Sequence, residues 1–196
     1  MIQSLLDETG VALQQLDAIV MVSGPGSFTG LRIGAAVAQG LSFGADVPII
    51  RISSLEMLAR AAFTVSNRQV GTATVFYTCL HAREDEFYFA AYADDGLSQP
   101  KILIPDQMSN AATILAHLTR HHAASQQHVC VGSGWLQSAL LTLPGNGDSF
   151  ERLSDTTGNA VILCELGRYV LATGETDSAE QALPEYLKED MAYRKS

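Results

Sequence analysis

A glycine-rich turn between an apolar strand and a helix of small residues is the feature that most constrains the fold of this chain. Residues 18–50 read AIVMVSGPGSFTGLRIGAAVAQGLSFGADVPII. The apolar run at residues 16–22 predicts a strand, residues 29–44 predict a helix, and residues 48–52 predict a second strand. Strand, helix and strand in this order indicate a parallel α/β layer. The turn then lies at the carboxyl end of the first strand, where open sheets usually place ligands.

The remaining elements suggest two lobes. Residues 2–9 have helical spacing of apolar side chains with Gly10 as a stop, and SSLE at residues 53–56 predicts a capping box that opens a helix. Three antiparallel strands, a helix, a further strand and a long helix are predicted at residues 72–80, 86–93, 101–104, 110–121, 128–131 and 159–173. We therefore expect an N-terminal lobe at residues 1–66 and a C-terminal lobe at residues 72–196.

Composition restricts the class of function. The chain has 12 Lys and Arg against 21 Asp and Glu, a net charge of −9, which is the wrong sign for a surface that neutralises nucleic-acid phosphates by itself. No apolar run approaches the roughly 20 residues of a membrane span, and the start lacks a signal-peptide pattern, so we expect a cytoplasmic protein. Cys79, Cys130 and Cys164 lie in apolar surroundings and are expected to be reduced core thiols.

The glycine turn matches none of the catalytic motifs that it superficially suggests. A Walker loop needs a lysine, but Gly30 is followed by Leu31 and Arg32. The glycine spacing is one residue too long for a dinucleotide fingerprint, and Ser27 directly follows a glycine, unlike the serine of a nucleophile elbow. Two interpretations stay open: a tight turn that sets the helix against the sheet, or an anion or nucleotide loop. The residues of such a loop would be Gly24, Gly26, Ser27, Thr29 and Gly30.

The histidines give no sign of a metal site. His117 and His121 are one helical turn apart, but no glutamate follows the first histidine as in H-E-x-x-H, and no third ligand is indicated. We expect a solvated helix end there. The sequence predicts no catalytic residue, no metal and no cofactor.

Three segments resemble the bacterial TsaB family, also called YeaZ. The run GPGSFTGLRIGAAVAQGLSFGADVPIIRISSLEMLA is similar to that family over its whole length. HAREDEFYFAAY resembles the family segment after the linker, and LPEYLKEDMAYRK resembles its C-terminal segment. The resemblance extends from residue 1 to about residue 195.

This resemblance implies a fold and a role. The family has the two-lobed actin-like (ASKHA) α/β fold and is related to TsaD, the subunit that transfers the threonylcarbamoyl group to adenosine in tRNA. TsaB-like proteins are non-catalytic partners of TsaD and act together with the ATPase TsaE, so tRNA would be met only indirectly. The alternative is an actin-like ATP-binding enzyme or a glycoprotease-type hydrolase of peptidase family M22, active on its own.

The chain also departs from the family pattern. Family members begin with three strands before the first helix of this chain, so the N-terminal lobe is expected to lack its first strands and to leave a strand edge open for self-association. His81 replaces a family Asp, and Glu84 and Asp85 replace a pair that ends in Gly. Arg83 keeps its place.

A partner surface is the remaining sequence prediction. Only Arg32, Gln39 and Ser42 are polar in the helix at residues 31–44, so most of its circumference is apolar or small. Such a helix needs a second covering surface. The resemblance implies pairing through N-terminal lobe helices, in a homodimer and with TsaD. The expected interface residues are Ile2, Leu5, Leu6, Leu31, Gly34, Ala38 and Leu41.

Overall fold

The computed structural model describes residues 2–66, 68–121, 127–141 and 150–187. Its helices are α1 (Ile2–Thr9), α2 (Phe28–Ala45), α3 (Ser54–Val65), α4 (Ala111–His121) and α5 (Ala160–Thr173). Its strands are β1 (Ile19–Gly24), β2 (Ile49–Ser53), β3 (Thr74–Arg83), β4 (Glu86–Asp94), β5 (Lys101–Asn110), β6 (His128–Val131) and β7 (Phe150–Leu153). Short 3-10 turns connect some of these elements.

The described strands form two sheets. In the first, β1 and β2 pair in parallel with α2 between them in the chain, which confirms the predicted strand, helix and strand order. The second has the order β5-β4-β3-β6-β7, with antiparallel β3, β4 and β5 and with β6 parallel to β3. The expected meander is therefore confirmed. The four-residue strand β7 was not predicted, because its sequence FERL is too short to show a period.

Strand β5 continues past Pro105, where the sequence predicted its end. It is an edge strand, and Pro105 lies at an irregularity where the pairing moves from Ala91↔Ile104 to Phe89↔Gln107. A proline is tolerated at such a bulge because its missing N–H is not needed by the ladder. The next residue, Asp106, contacts both lobes.

Helices α3 and α5 each pack against the sheet of the other lobe. Leu55, Leu58 and Phe63 of α3 lie in one buried cluster with strands of the five-stranded sheet. Leu166 and Val170 of α5 lie in another with β2. The predicted division into residues 1–66 and 72–196 stays a prediction, and the side-chain packing crosses it in both directions.

The inner face of α2 covers the two-stranded sheet, and the C-terminal segment runs beside it. Ala35 and Ala38 lie in a cluster with Met21, Ile49 and Ala182. The backbone N–H of Glu185 donates to the carbonyl of Ser23 with 2.8 Å between nitrogen and oxygen. The segment around Glu185 thus joins the N-terminal lobe.

The prediction of three core thiols is wrong for one of them. Cys79 and Cys130 are buried, and burial raises the pKa of Cys130 to about 12. Cys164 is exposed. The apolar letters around it, VILCEL, belong to a helix that buries only one face, and Cys164 lies on the other.

Candidate partner-binding surface and the cleft between the lobes

The outward side of α2 is apolar and exposed. Ile33 is 62% exposed, Val37 46% and Phe43 79%. These side chains share one side of the helix at 100° per residue, opposite the buried Ala35 and Ala38. We name this surface, with Gly40 and Gly44 between its side chains, the α2 outer face. Single exposed apolar residues need no explanation, but a contiguous apolar helix face is typical of an interaction site.

The glycines of α2 support the same interpretation. A methyl group built on Gly34, Gly40 or Gly44 meets no heavy atom within 4 Å among the residues that the structure describes. A glycine inside a helix costs about 0.5–1 kcal/mol relative to alanine. Packing within the described chain does not account for that cost, whereas close approach of another backbone would.

Helix α1 lies beside this region with little packing of its own. It has no buried residue, Leu5 is 55% exposed, and Leu6 is half-buried. A groove runs between the start of α1, β1 and α2, and its walls include Ile2, Gly34 and Leu41. The predicted interface residues other than Ala38 are thus half-buried or exposed around one region of the surface.

Ala38 differs from the other predicted interface residues. It is 5% exposed and packs on the chain's own sheet with Met21 and Ile49. A bulky side chain there would disturb the core of this lobe before reaching a partner. The interface as a whole stays a prediction. Ile33 and Phe43, which the predicted interface did not include, are exposed apolar side chains of the same helix. Their shared side could have been inferred by placing the large apolar residues of the helix at 100° per residue.

The glycine turn has a structural requirement at its first glycine. Gly24 has φ +126°, and a methyl group on it would lie 2.9 Å from the carbonyl oxygen of Glu185 and 3.2 Å from Leu31. Only glycine accommodates both the backbone angle and this close approach. The turn therefore holds the C-terminal segment against β1 as well as starting α2.

The other turn residues are placed around the first turn of α2. The Ser27 hydroxyl caps the helix by accepting from the N–H of Gly30, with 3.4 Å between the atoms. Gly26 has open space around its α-carbon among the described residues, and Thr29 is exposed. The cap uses one of the N–H groups that an anion loop would offer. An anion or nucleotide role for this loop stays a prediction.

A polar cleft of about 470 Å³ lies between the lobes, and Asp106 links its walls. Asp106 accepts hydrogen bonds from the hydroxyls of Ser53 at the start of α3 and of Tyr92 on β4. Burial raises the pKa of Asp106, and the two hydrogen bonds oppose that shift. Ser53 also caps α3 by accepting from the N–H groups of Leu55 and Glu56. These contacts attach the start of α3 to the sheet of the other lobe.

Glu56 is the most perturbed acid of this cleft. Its side chain accepts a hydrogen bond from Gln99, with 3.0 Å between Nε2 and Oε1, instead of completing the predicted capping box. Burial raises the pKa of Glu56 to about 7, and the neighbouring Asp106 adds to this effect. The carboxyl therefore binds its proton more tightly than a solvent-exposed glutamic acid does. The described residues contain no group of three or more His, Cys, Asp or Glu side chains arranged for a metal ion.

Comparison with known proteins identifies the family. A family model described as TsaD, tRNA N6-adenosine threonylcarbamoyltransferase, matches residues 1–142. The Haemophilus influenzae tRNA threonylcarbamoyladenosine biosynthesis protein TsaB is 32% identical over 202 residues, covering 100% of this chain and 80% of that protein. The chain belongs to the TsaB family. The Escherichia coli TsaB protein of the same description is 31% identical, with the same coverage of both chains.

The solved relatives support the TsaB assignment and the fold. A structure described as YeaZ from Pseudomonas aeruginosa has a TsaB-type fold with a TM-score of 0.76 and 30% identity, covering 95% of this chain and 82% of that one. A second Pseudomonas aeruginosa structure, described as an uncharacterized protein with similarity to peptidase YEAZ, has a TM-score of 0.77. The predicted actin-like α/β fold is thereby confirmed.

The TsaB name also distinguishes this chain from the transferase. The relatives that span the whole chain are named as biosynthesis proteins. A Granulibacter bethesdensis tRNA N6-adenosine threonylcarbamoyltransferase is 42% identical over 62 residues, but it covers 32% of this chain and 17% of that protein. The expectation of an accessory TsaB-type protein, rather than an enzyme, agrees with these names. No helix in the described ranges is long and apolar enough to cross a membrane.

Proposed function

We propose that this chain is an accessory subunit in the formation of N6-threonylcarbamoyladenosine in tRNA and that it binds a TsaD-related partner through the α2 outer face. The observation that carries this proposal is an exposed apolar helix surface on a chain that belongs to the TsaB family over its whole length. Gly34, Gly40 and Gly44 of that helix have no close contact that would require a glycine within the described chain. A partner helix at this face would account for both features.

The same face can serve a second copy of the chain. The α2 outer face and the groove beside α1 offer apolar surface to a complementary pair of helices. In a symmetric dimer, two copies would present the same surface to each other. We propose that the homodimer and the TsaD complex compete for this surface. A TsaE-related ATPase would then bind elsewhere on the complex. The net charge of −9 favours a TsaD-related partner as the subunit that contacts tRNA. We expect all of this to occur in the cytoplasm.

Reconstitution tests the proposed function. Unmodified tRNA is incubated with the TsaD-related and TsaE-related proteins of the same source and an enzymatic supply of threonylcarbamoyl donor, with and without this chain. We expect modified adenosine only when the chain is present. The chain alone is expected to release no phosphate from ATP and to cleave no peptide. Full modification without the chain, or turnover of ATP by the chain alone, would favour the independent-enzyme alternative.

A further inference from the structure

A second cleft, of about 910 Å³, opens where three separate segments meet. Phe28, Leu31 and Arg32 of the first turn of α2 form one wall, and Arg83 and Tyr88 of the β3–β4 hairpin form the opposite wall. Tyr186 of the C-terminal segment closes one side. The volume is in the range of small-molecule sites, which are mostly apolar with a few polar groups that fix orientation. We name it the Arg32 cleft.

Arg32 is held in place by aromatic rings. Its guanidinium carbon lies 3.6 Å from the centroid of the Phe28 ring. Its Nε donates to the hydroxyl of Tyr186 at 2.8 Å, and the Phe28 and Tyr186 rings are 5.7 Å apart. An arginine stacked on an aromatic face loses conformational freedom before any ligand arrives. The guanidinium is thus oriented in advance.

The charge of Arg32 is not balanced by the described part of the chain. No carboxylate of the described residues lies within ion-pair distance of it, and its two terminal nitrogens have no acceptor there. This is notable in a chain with 21 acidic and 12 basic residues. Arg83 across the cleft pairs with Glu86 at 3.0 Å, and Glu185 also contributes to the lining. The cleft lining therefore carries two guanidinium groups and one carboxylate.

We propose that the Arg32 cleft binds a small organic anion that carries a flat apolar ring. The acid group would accept from the terminal nitrogens of Arg32, whose planar fork suits the two oxygens of a carboxylate or phosphate. Arg83, whose Nε pairs with Glu86, would offer its terminal N–H groups to the ligand from the other lobe. The ring would pack on Leu31 and Tyr88. A ligand in this position would contact both lobes and stabilise their contact by mass action.

Titration calorimetry on the full chain with three probes tests the proposal. The probes are phenyl phosphate, benzoate and the neutral analogue phenol. We expect at least one anion to bind with a Kd of about 1 mM or tighter, and phenol to bind far more weakly. Binding of phenyl phosphate alone would assign the site to phosphate esters, and binding of both anions would assign it to acids in general.

Matched variants locate the site. Arg32→Gln is expected to weaken anion binding about ten-fold or more, because a charge-assisted hydrogen bond is lost. Arg168→Gln, which changes an exposed arginine of α5 outside the cleft lining, is expected to bind like the parent. If Arg32→Gln does not fold, Arg83→Gln at the exposed hairpin replaces it and should weaken binding several-fold. Equal binding of phenol and the anions, no binding of either anion, or unchanged affinity in the folded variant would overturn the proposal.

Discussion

Arg60 of α3 and Asp94 at the end of β4 form a buried ion pair, with 3.1 Å between Nε and Oδ2 and side chains that are 2% and 0% exposed. Arg60 also donates to the carbonyl of Ser98 and lies 3.4 Å from a carboxylate oxygen of Glu165 on α5. One guanidinium therefore joins the helix of the first lobe to a strand and a helix of the second. This contact links elements of both lobes through charged side chains.

Replacing Asp94 with Asn should destabilise the fold strongly. The amide keeps an oxygen for the N–H of Gly96 but leaves the buried charge of Arg60 with a weaker partner. Breaking one side of a buried pair costs about 3–5 kcal/mol. Asp177→Asn is the matched control, because Asp177 pairs with Arg51 at a partly exposed site and such pairs contribute up to about 1 kcal/mol. Urea unfolding measures the free energy of unfolding of both variants. Equal losses in the two variants would contradict a special stabilising role for the buried Arg60–Asp94 pair.

Glu56 should make stability fall as the pH rises. Its folded pKa of about 7 lies above the ordinary value of 4.5, so its contribution is complete below pH 4.5 and is lost as the pH rises through 7. The loss is on the order of 3 kcal/mol. Asp94 and Asp106, whose pKa values burial also raises, act in the same direction.

Glu56→Gln tests the origin of this pH dependence. Glutamine keeps the size and the polar contact with Gln99 but does not ionise. We expect the variant to be more stable than the parent at pH 8 and to differ little at pH 4.5, with urea midpoints followed across that range. If the urea midpoints of parent and variant change with pH in parallel, a group other than Glu56 causes the pH dependence.

The glycine turn gives a matched pair of variants. Gly24→Ala should cost about 1–3 kcal/mol, because its φ of +126° and the carbonyl of Glu185 leave no room for a methyl group. Gly26→Ala should be almost neutral, since the described residues leave open space there. Thermal unfolding measures the difference, and limited proteolysis should detect earlier release of the C-terminal segment in Gly24→Ala. Equal melting temperatures for the two variants would contradict the conclusion that the backbone angle and close packing at Gly24 require a glycine.

Local patterns in the sequence were enough to predict most helices and strands, but not the contacts between lobes. The helical spacing of residues in α2 and the turn residues that flank β3, β4 and β6 are local patterns. These elements were therefore predicted. Ala38 packs on the chain's own sheet, and the sequence did not indicate this, because a small residue packs equally well on a sheet or on a partner. Asp106 lies with Pro105 at an irregularity of the strand pairing, and no local pattern indicates which distant side chains it contacts there.

Gly40→Ala should change stability and association in opposite directions. A methyl group at this exposed helical position meets nothing in the described chain, so the isolated protein should gain about 0.5–1 kcal/mol. The same methyl group should separate the α2 outer face from a partner helix and weaken the complex with the TsaD-related protein. Calorimetric melting and equilibrium sedimentation measure the two effects. A gain in stability with unchanged association would place Gly40 outside the interface.

Sedimentation velocity of this chain mixed with its TsaD-related partner tests the central proposal most directly, with Ile33→Glu compared against Val161→Glu. Both positions are exposed apolar residues on helices, at 62% and 75%, and only Ile33 lies on the α2 outer face. A carboxylate buried at a helix contact lacks a partner, so Ile33→Glu should weaken the complex about ten-fold or more, while Val161→Glu assembles like the parent. Normal assembly of a folded Ile33→Glu variant would contradict the proposal.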